Sequence, residues 1–187
     1  MPQRLTLKTI LIGDGGVGKT SLVNTYVEKG PFQADYKITI GVEISSKEVK
    51  LASGDVAVLS LHDVAGQPRF EAVRPAFYKG THLALCVYDV TREKSLENLE
   101  KIWIPELERS NPISSSGGIP IQKVLIGNKI DLEDLRMIET SEGEEASKRI
   151  GCISHIETSA KENTNVNESF TVLVEKYMEL YNESLKK

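Results

Sequence analysis

Eight residues near the amino terminus, Gly13-Asp14-Gly15-Gly16-Val17-Gly18-Lys19-Thr20, constrain this 187-residue chain more than any other stretch. They follow a short apolar run, Leu7 to Ile12, that reads as a buried strand, and they lead into Ser21 to Lys29, which reads as a helix. A glycine-rich turn in that setting lets successive backbone N–H groups curl around phosphate oxygens, and the helix N-terminus adds its dipole. The spacing G-x-x-x-x-G-K-T makes Lys19 a point charge for the outer phosphates and gives Thr20 a hydroxyl for Mg²⁺. A plain glycine turn with an exposed lysine is the competing reading, and the strand-to-helix context weighs against it.

The rest of the chain repeats the alternation of strand and helix. Val42 to Leu51 and Val56 to Leu61 read as strands joined by the hairpin signal Ser53-Gly54-Asp55. Leu83 to Tyr88, Ile121 to Ile126 and Ile153 to Ile156 are further buried strands. Leu96, Leu99, Ile102, Trp103 and Leu107 recur at helical spacing, as do Val166, Phe170, Leu173, Val174, Tyr177 and Tyr181. This order predicts one α/β domain: a mostly parallel six-stranded sheet with one antiparallel edge strand and helices on both faces. Pro112 to Gly118 is the one flexible-looking stretch, too short to link two domains. A net charge of −4 with no basic stripe argues against nucleic acid as a partner. Two cysteines are too few for a disulfide scaffold, which suits a cytoplasmic protein.

Three more segments fall where predicted strands end. Asp63-Val64-Ala65-Gly66-Gln67 could bring a carboxylate to the metal, although Asp-x-x-Gly is also a common turn. Asn128-Lys129-Ile130-Asp131 could frame a base, since a carboxylate accepts from both N1–H and the exocyclic amine of guanine, and adenine would leave it unpaired. An Asx turn capping the next helix is the competing use of those residues. Ser159-Ala160-Lys161 follows the last strand. Their convergence on one rim of an α/β sheet outweighs each separate alternative.

GDGGVGKT, the Thr39 of ITIGVE, DVAGQ, NKID and TSAK, in that order, resemble the five guanine-nucleotide motifs of Ras-superfamily small GTPases, and the spacing is most similar to the Rab branch. The resemblance runs from about Leu7 to the last helix. It implies a three-layer phosphate-loop G domain spanning the chain, binding GTP or GDP with Mg²⁺ and hydrolysing GTP slowly. Gly15, Gly16, Val17, Gly18, Lys19, Thr20 and Ser21 would wrap the phosphates. Thr20, Thr39 and Asp63 would serve the metal. Phe32 would stack across the guanine, Tyr36 would cover the phosphates, and Gly66 would touch the γ-phosphate. Gln67 would orient the attacking water beside Lys19 and Thr39. Asn128, Lys129 and Asp131 would hold the base with Ser159, Ala160 and Lys161. Residues of about 32–41 and 64–80 would be two switch loops that read the γ-phosphate and contact effectors. With no arginine evident as an internal finger, Arg69 and Arg74 are expected at the surface of the second switch, and an activating partner would supply the missing charge.

The chain departs from the Rab pattern at several positions. Ile44 and His62 stand where Rabs usually carry aromatics, so Phe77 and Tyr78 are what remains of a partner-facing aromatic cluster. Gly15 leaves room for an incoming arginine, and Pro68 follows Gln67, where it would stiffen or re-aim the second switch. No cysteine closes the C-terminus, so this chain carries no lipid anchor, either because the protein is unlipidated or because a tail follows, and peripheral membrane association stays open; the resemblance itself implies a monomer. Two other readings stay open: a binding or scaffold module holding its nucleotide permanently, and a phosphate-loop kinase, which Asp131 disfavours.

Overall fold

In a computed structural model, which describes residues 3–28, 39–112 and 118–186, six strands form one sheet. The strands are β1 (Arg4–Ile12), β2 (Val42–Lys50), β3 (Val56–Val64), β4 (Leu83–Asp89), β5 (Gln122–Asn128) and β6 (Ser154–Thr158). Their spatial order is β2-β3-β1-β4-β5-β6. β1 pairs in parallel with both β3 and β4, β4 with β5, and β5 with β6, while β2 lies antiparallel to β3 at the edge. The carboxyl ends of five strands therefore share one rim, and the chain reverses its winding direction at β1, the switch point where such sheets bind ligands.

Alternation along β1 divides the core. Leu7 and Leu11 face a cluster built with α1 (Lys19–Tyr26) and α6 (Val166–Ser184), where the rings of Tyr26 and Phe170 stack 3.8 Å apart. Ile10 and Ile12 face the other side, against α2 (Arg74–Tyr78), α3 (Glu93–Asn98), α4 (Ile104–Ser110) and α5 (Thr140–Arg149). β4 and β5 are buried throughout, as central strands covered on both faces must be.

Residues 93–110 are helical throughout, but α3 and α4 are separated by a wider π-type turn, Leu99–Trp103. Pro105 explains it: proline offers no N–H to the Lys101 carbonyl and its ring crowds that carbonyl, so the preceding turn opens. The same turn leaves Ile102, which shares the helical spacing of Leu99 and Trp103, half in solvent. α5 carries no predicted apolar stripe; Gly143, Ala146 and Ser147 are its buried residues, and a reciprocal cap between Glu139 and Glu142 starts it. Among the described residues, no helix is long and apolar enough to cross a membrane. Residues 113–117, the centre of the flexible-looking stretch, lie outside the described residues.

Candidate functional site

The phosphate loop leaves β1 at Ile12 and enters α1 at Lys19. Lys19 is 6% exposed and donates from Nζ to the carbonyls of Gly13 (2.6 Å) and Asp14 (2.8 Å). Burial lowers its ammonium to a pKa of about 8, against the opposing pull of Asp63 and Asp14. Gly18 sits at φ 101°, and a Cβ there would lie 2.2 Å from Asn128 Nδ2, so glycine alone fits. That Asn128 amide donates to the Val17 carbonyl at 2.9 Å. Ser21 follows in the first turn of α1.

Thr20, Thr39 and Asp63 come together although 43 residues separate the first from the last. Thr20 Oγ1 donates to Asp63 Oδ2, the two threonine hydroxyls lie 2.9 Å apart, and Thr39 Oγ1 is 3.5 Å from the same carboxylate oxygen. Asp63 is 2% exposed, and its other oxygen, Oδ1, has no partner among the described residues. Burial raises this carboxyl above the ordinary range, with Thr20 and Lys19 pulling the other way. Two hydroxyls and a buried carboxylate with an orphaned oxygen are hard donors that fit Mg²⁺, whose charge would offset the cost of keeping Asp63 ionised.

Gly66 and Gln67 approach the loop from the end of β3. A Cβ on Gly66 would meet the backbone of Asp14 and Gly15 at 2.5 Å, so the two segments touch directly. Gln67 has extended backbone (φ −91°, ψ 145°), the conformation a following proline enforces, and Pro68 opens a 3₁₀ turn, Pro68–Val73, where its missing N–H is not needed. Pro68 thus fixes the entry to the 68–73 turn without disrupting it. A cavity of about 340 Å³ opens here, lined by Asp14, Gly15, Gly66, Gln67, Pro68, Arg92 and Asn98.

At the β5 and β6 ends, Asn128 works as a tie: besides Val17, its Oδ1 accepts from Thr158 Oγ1 (3.0 Å) and Ala160 N–H (3.2 Å). Asp131 accepts the Ser159 hydroxyl at 2.6 Å, with Lys161 Nζ 3.7 Å away. Lys129, at φ 74°, turns its ammonium onto Asp89 at 2.6 Å. Burial alone would raise the Asp89 carboxyl, but hydrogen bonds from Lys129 and Thr91 hold it below the ordinary value. Phe32, Tyr36 and most of the 32–41 stretch lie outside the described residues.

Two surface expectations are overturned. Arg74 is 3% exposed: its Nε donates to Glu106 at 3.1 Å, which pairs the charge, and its guanidinium carbon lies over the Trp103 ring, 4.1 Å from its centre. Tyr78 is fully buried, its hydroxyl donating to the same Glu106 oxygen, so it belongs to the core and not to a partner-facing cluster. Arg69 is exposed, over the ring of Phe70. Ile44 is exposed and directly opposite His62 across the edge pair.

Sequence reasoning passed over four polar residues behind the loop. Asn98 Nδ2 and Trp103 Nε1 clamp the two oxygens of Asp14 at 2.7 and 2.8 Å, and Asp89 anchors Arg92. Fold and site define a phosphate-loop protein whose base, phosphate and metal candidates share one rim. The Ras family profile matches residues 8–179. Ypt/Rab-type GTPase ypt7 of Schizosaccharomyces pombe is 41% identical over 174 residues, 92% of this chain and 82% of that protein. Ras-related protein RABG3f of Arabidopsis thaliana is 42% identical over 170 residues (90% and 80%), and Ras-related protein Rab-7a of Dictyostelium discoideum 37% over 178 (95% and 85%). The chain belongs to the Ras family of small GTPases, and within it is similar to the Rab type.

Proposed function

We propose that this chain is a single G domain acting as a Rab-like switch in membrane traffic, cycling between GTP and GDP and hydrolysing GTP slowly. The observation that carries the reading is the meeting of the Thr20 and Thr39 hydroxyls at Asp63 Oδ2, with Asp63 Oδ1 left without a partner among the described residues, at the foot of the loop that Gly66 touches. Mg²⁺ held by those three side chains would neutralise phosphate charge and orient the terminal phosphate. Lys19 adds charge on the other side, and loop N–H groups bind the remaining oxygens. Thr39 and Gly66 touch the terminal phosphate from two different loops, so its loss releases both; the switches are about 32–41 and 64–80. Gln67 orients the water, and Asp131 with Lys129 selects guanine.

Hydrolysis depends on positioning and electrostatics; Arg74 is buried against Glu106 and Trp103 and Arg69 lies at the surface over Phe70, so an activating protein completes the transition-state charge. Exchange factors reload the nucleotide, and effectors read the switch loops and the exposed Ile44 edge. Membrane association is peripheral, and the protein works as a monomer. A single-turnover assay tests the core of this: load with GTP and Mg²⁺, remove the excess, and follow bound GTP and GDP over hours. The expected result is slow conversion that Gln67→Leu abolishes; tight retention of unconverted GTP by the wild type would refute hydrolytic switching.

A further inference from the structure

After β4 the chain turns sharply at Asp89. The Arg92 N–H donates to the Asp89 carbonyl at 2.9 Å, and the Thr91 N–H and hydroxyl donate to Asp89 Oδ1 at 3.0 and 2.7 Å. That turn sets Arg92 immediately behind the phosphate loop. Its Nε donates to Asp89 Oδ2 at 3.1 Å, and its Nη2 donates to the Gly15 carbonyl at 3.1 Å. Asp89 is 1% exposed and receives the Lys129 ammonium on the same oxygen as Arg92. A continuous polar path therefore runs from the base motif through one buried carboxylate to the phosphate loop.

The Gly15 carbonyl shares a planar trans peptide with the Gly16 N–H, so the two point in opposite directions. This peptide lies between two glycines, and Gly16 is at φ 78°, so no side chain of its own resists its rotation. An external donor is needed to fix it. Asn128 does this for the peptide after next, holding the Val17 carbonyl so that the Gly18 N–H faces the opposite way. We propose that Arg92 is a positioning residue for GTP hydrolysis, holding the Gly15–Gly16 peptide so that the Gly16 N–H faces the nucleotide phosphates and coupling that orientation through Asp89 to Lys129. The proposal rests on the reading of the chain as a guanine-nucleotide switch.

The Arg92 side chain is 43% exposed, so its hydrogen bond is moderate, and its removal should change rates by about five- to tenfold. The test compares wild type with Arg92→Ala, Arg92→Met and Arg92→Lys in the full chain. Four readouts are followed: single-turnover hydrolysis, GDP release, the ³¹P resonances of bound GDP and the thermal midpoint. Ala and Met should slow hydrolysis about five- to tenfold, speed GDP release several-fold and shift the β-phosphorus resonance, with the midpoint moving by less than about 2 °C. Lys should fall between, because a point charge cannot span Asp89 and Gly15 as a guanidinium fork does. Wild-type rates and an unshifted resonance in Arg92→Ala overturn the proposal, as do rate losses that simply track a lowered midpoint. A wild type that holds no guanine nucleotide overturns the parent reading and this one with it; a wild type that hydrolyses while Arg92→Ala matches it overturns this one alone.

Discussion

Replacing Gly66 by alanine separates positioning from binding at this site. The added Cβ would lie 2.5 Å from Asp14 C and Gly15 N and 2.6 Å from Gly13 O, where ordinary contact begins at 3.4 Å. All three atoms are backbone, and the loop carrying them is held by Lys19 on Gly13 and Asp14, by Asn98 and Trp103 on Asp14, and by Arg92 on Gly15. The segment carrying Gly66 is tied less tightly, through the Ala65 N–H on the Gly41 carbonyl. The segment must therefore yield by about 0.9 Å, taking Gln67 with it. A displacement near 1 Å costs a reacting geometry about a hundredfold, or about 2.7 kcal/mol of barrier. Single-turnover hydrolysis in Gly66→Ala should fall by that factor, while GDP affinity stays within about threefold because Asn128, Asp131 and the loop peptides are untouched. Hydrolysis at the wild-type rate would refute the reasoning, and so would a loss of GDP affinity matching the loss of hydrolysis, since that would mean the phosphate loop had given way instead.

Further outcomes can be checked with simpler measurements. Asp131→Asn should lower guanine-nucleotide affinity at least about a hundredfold by removing the acceptor for two donors; a competition assay retaining full guanine preference would contradict this. Gly143→Ala should destabilise despite a helix-propensity gain of about 1 kcal/mol. Its Cβ would fall 2.4 Å from both Tyr88 Oη and His155 Nε2, an overpacking cost of about 1–3 kcal/mol, so a urea midpoint that rises would be decisive against it. Burial lowers the pKa of all three histidines, with the charge of Lys8 adding to the effect at His62 and His82; at His155, Glu157 and Glu144 oppose it and Arg136 reinforces it. Their folded pKa lies below the unfolded value, so the associated stability is complete above about pH 6.5 and is lost as pH falls through the folded values. The thermal midpoint should drop as pH falls below about 6.5, and a flat or rising profile would exclude this linkage.

Where local pattern decides structure, the sequence was readable. The six strands follow from apolar runs and turn signals, and the rim of candidate residues follows from where those runs stop, although Asn128 and Thr158 proved to be the last residues of their strands rather than the loops after them. Helix α5 escaped notice because it buries small residues and packs without an apolar stripe. The opening ahead of Pro105 overrode the helical spacing and put Ile102 outside. Arg74 looked like a surface residue because its partners, Glu106 and Trp103, lie about thirty residues away and meet it only through packing of α2 against α4 and the turn before it. Arg92 was invisible for the same reason: the group it holds is a backbone carbonyl 77 residues earlier, and backbone acceptors leave no mark in sequence.

Trp103 is the one tryptophan in the chain, and its surroundings make it an optical probe already built into the protein. Its indole N–H is bonded to Asp14 of the phosphate loop, its ring lies 5.9 Å from the Lys19 ammonium, and the Arg74 guanidinium of α2 lies over it. Indole emission is sensitive to nearby charge and hydrogen bonding, so any rearrangement of loop or switch alters the signal from a single, unambiguous fluorophore. On the proposed reading, nucleotide loading, metal chelation and turnover should each change the Trp103 emission of the unlabelled protein.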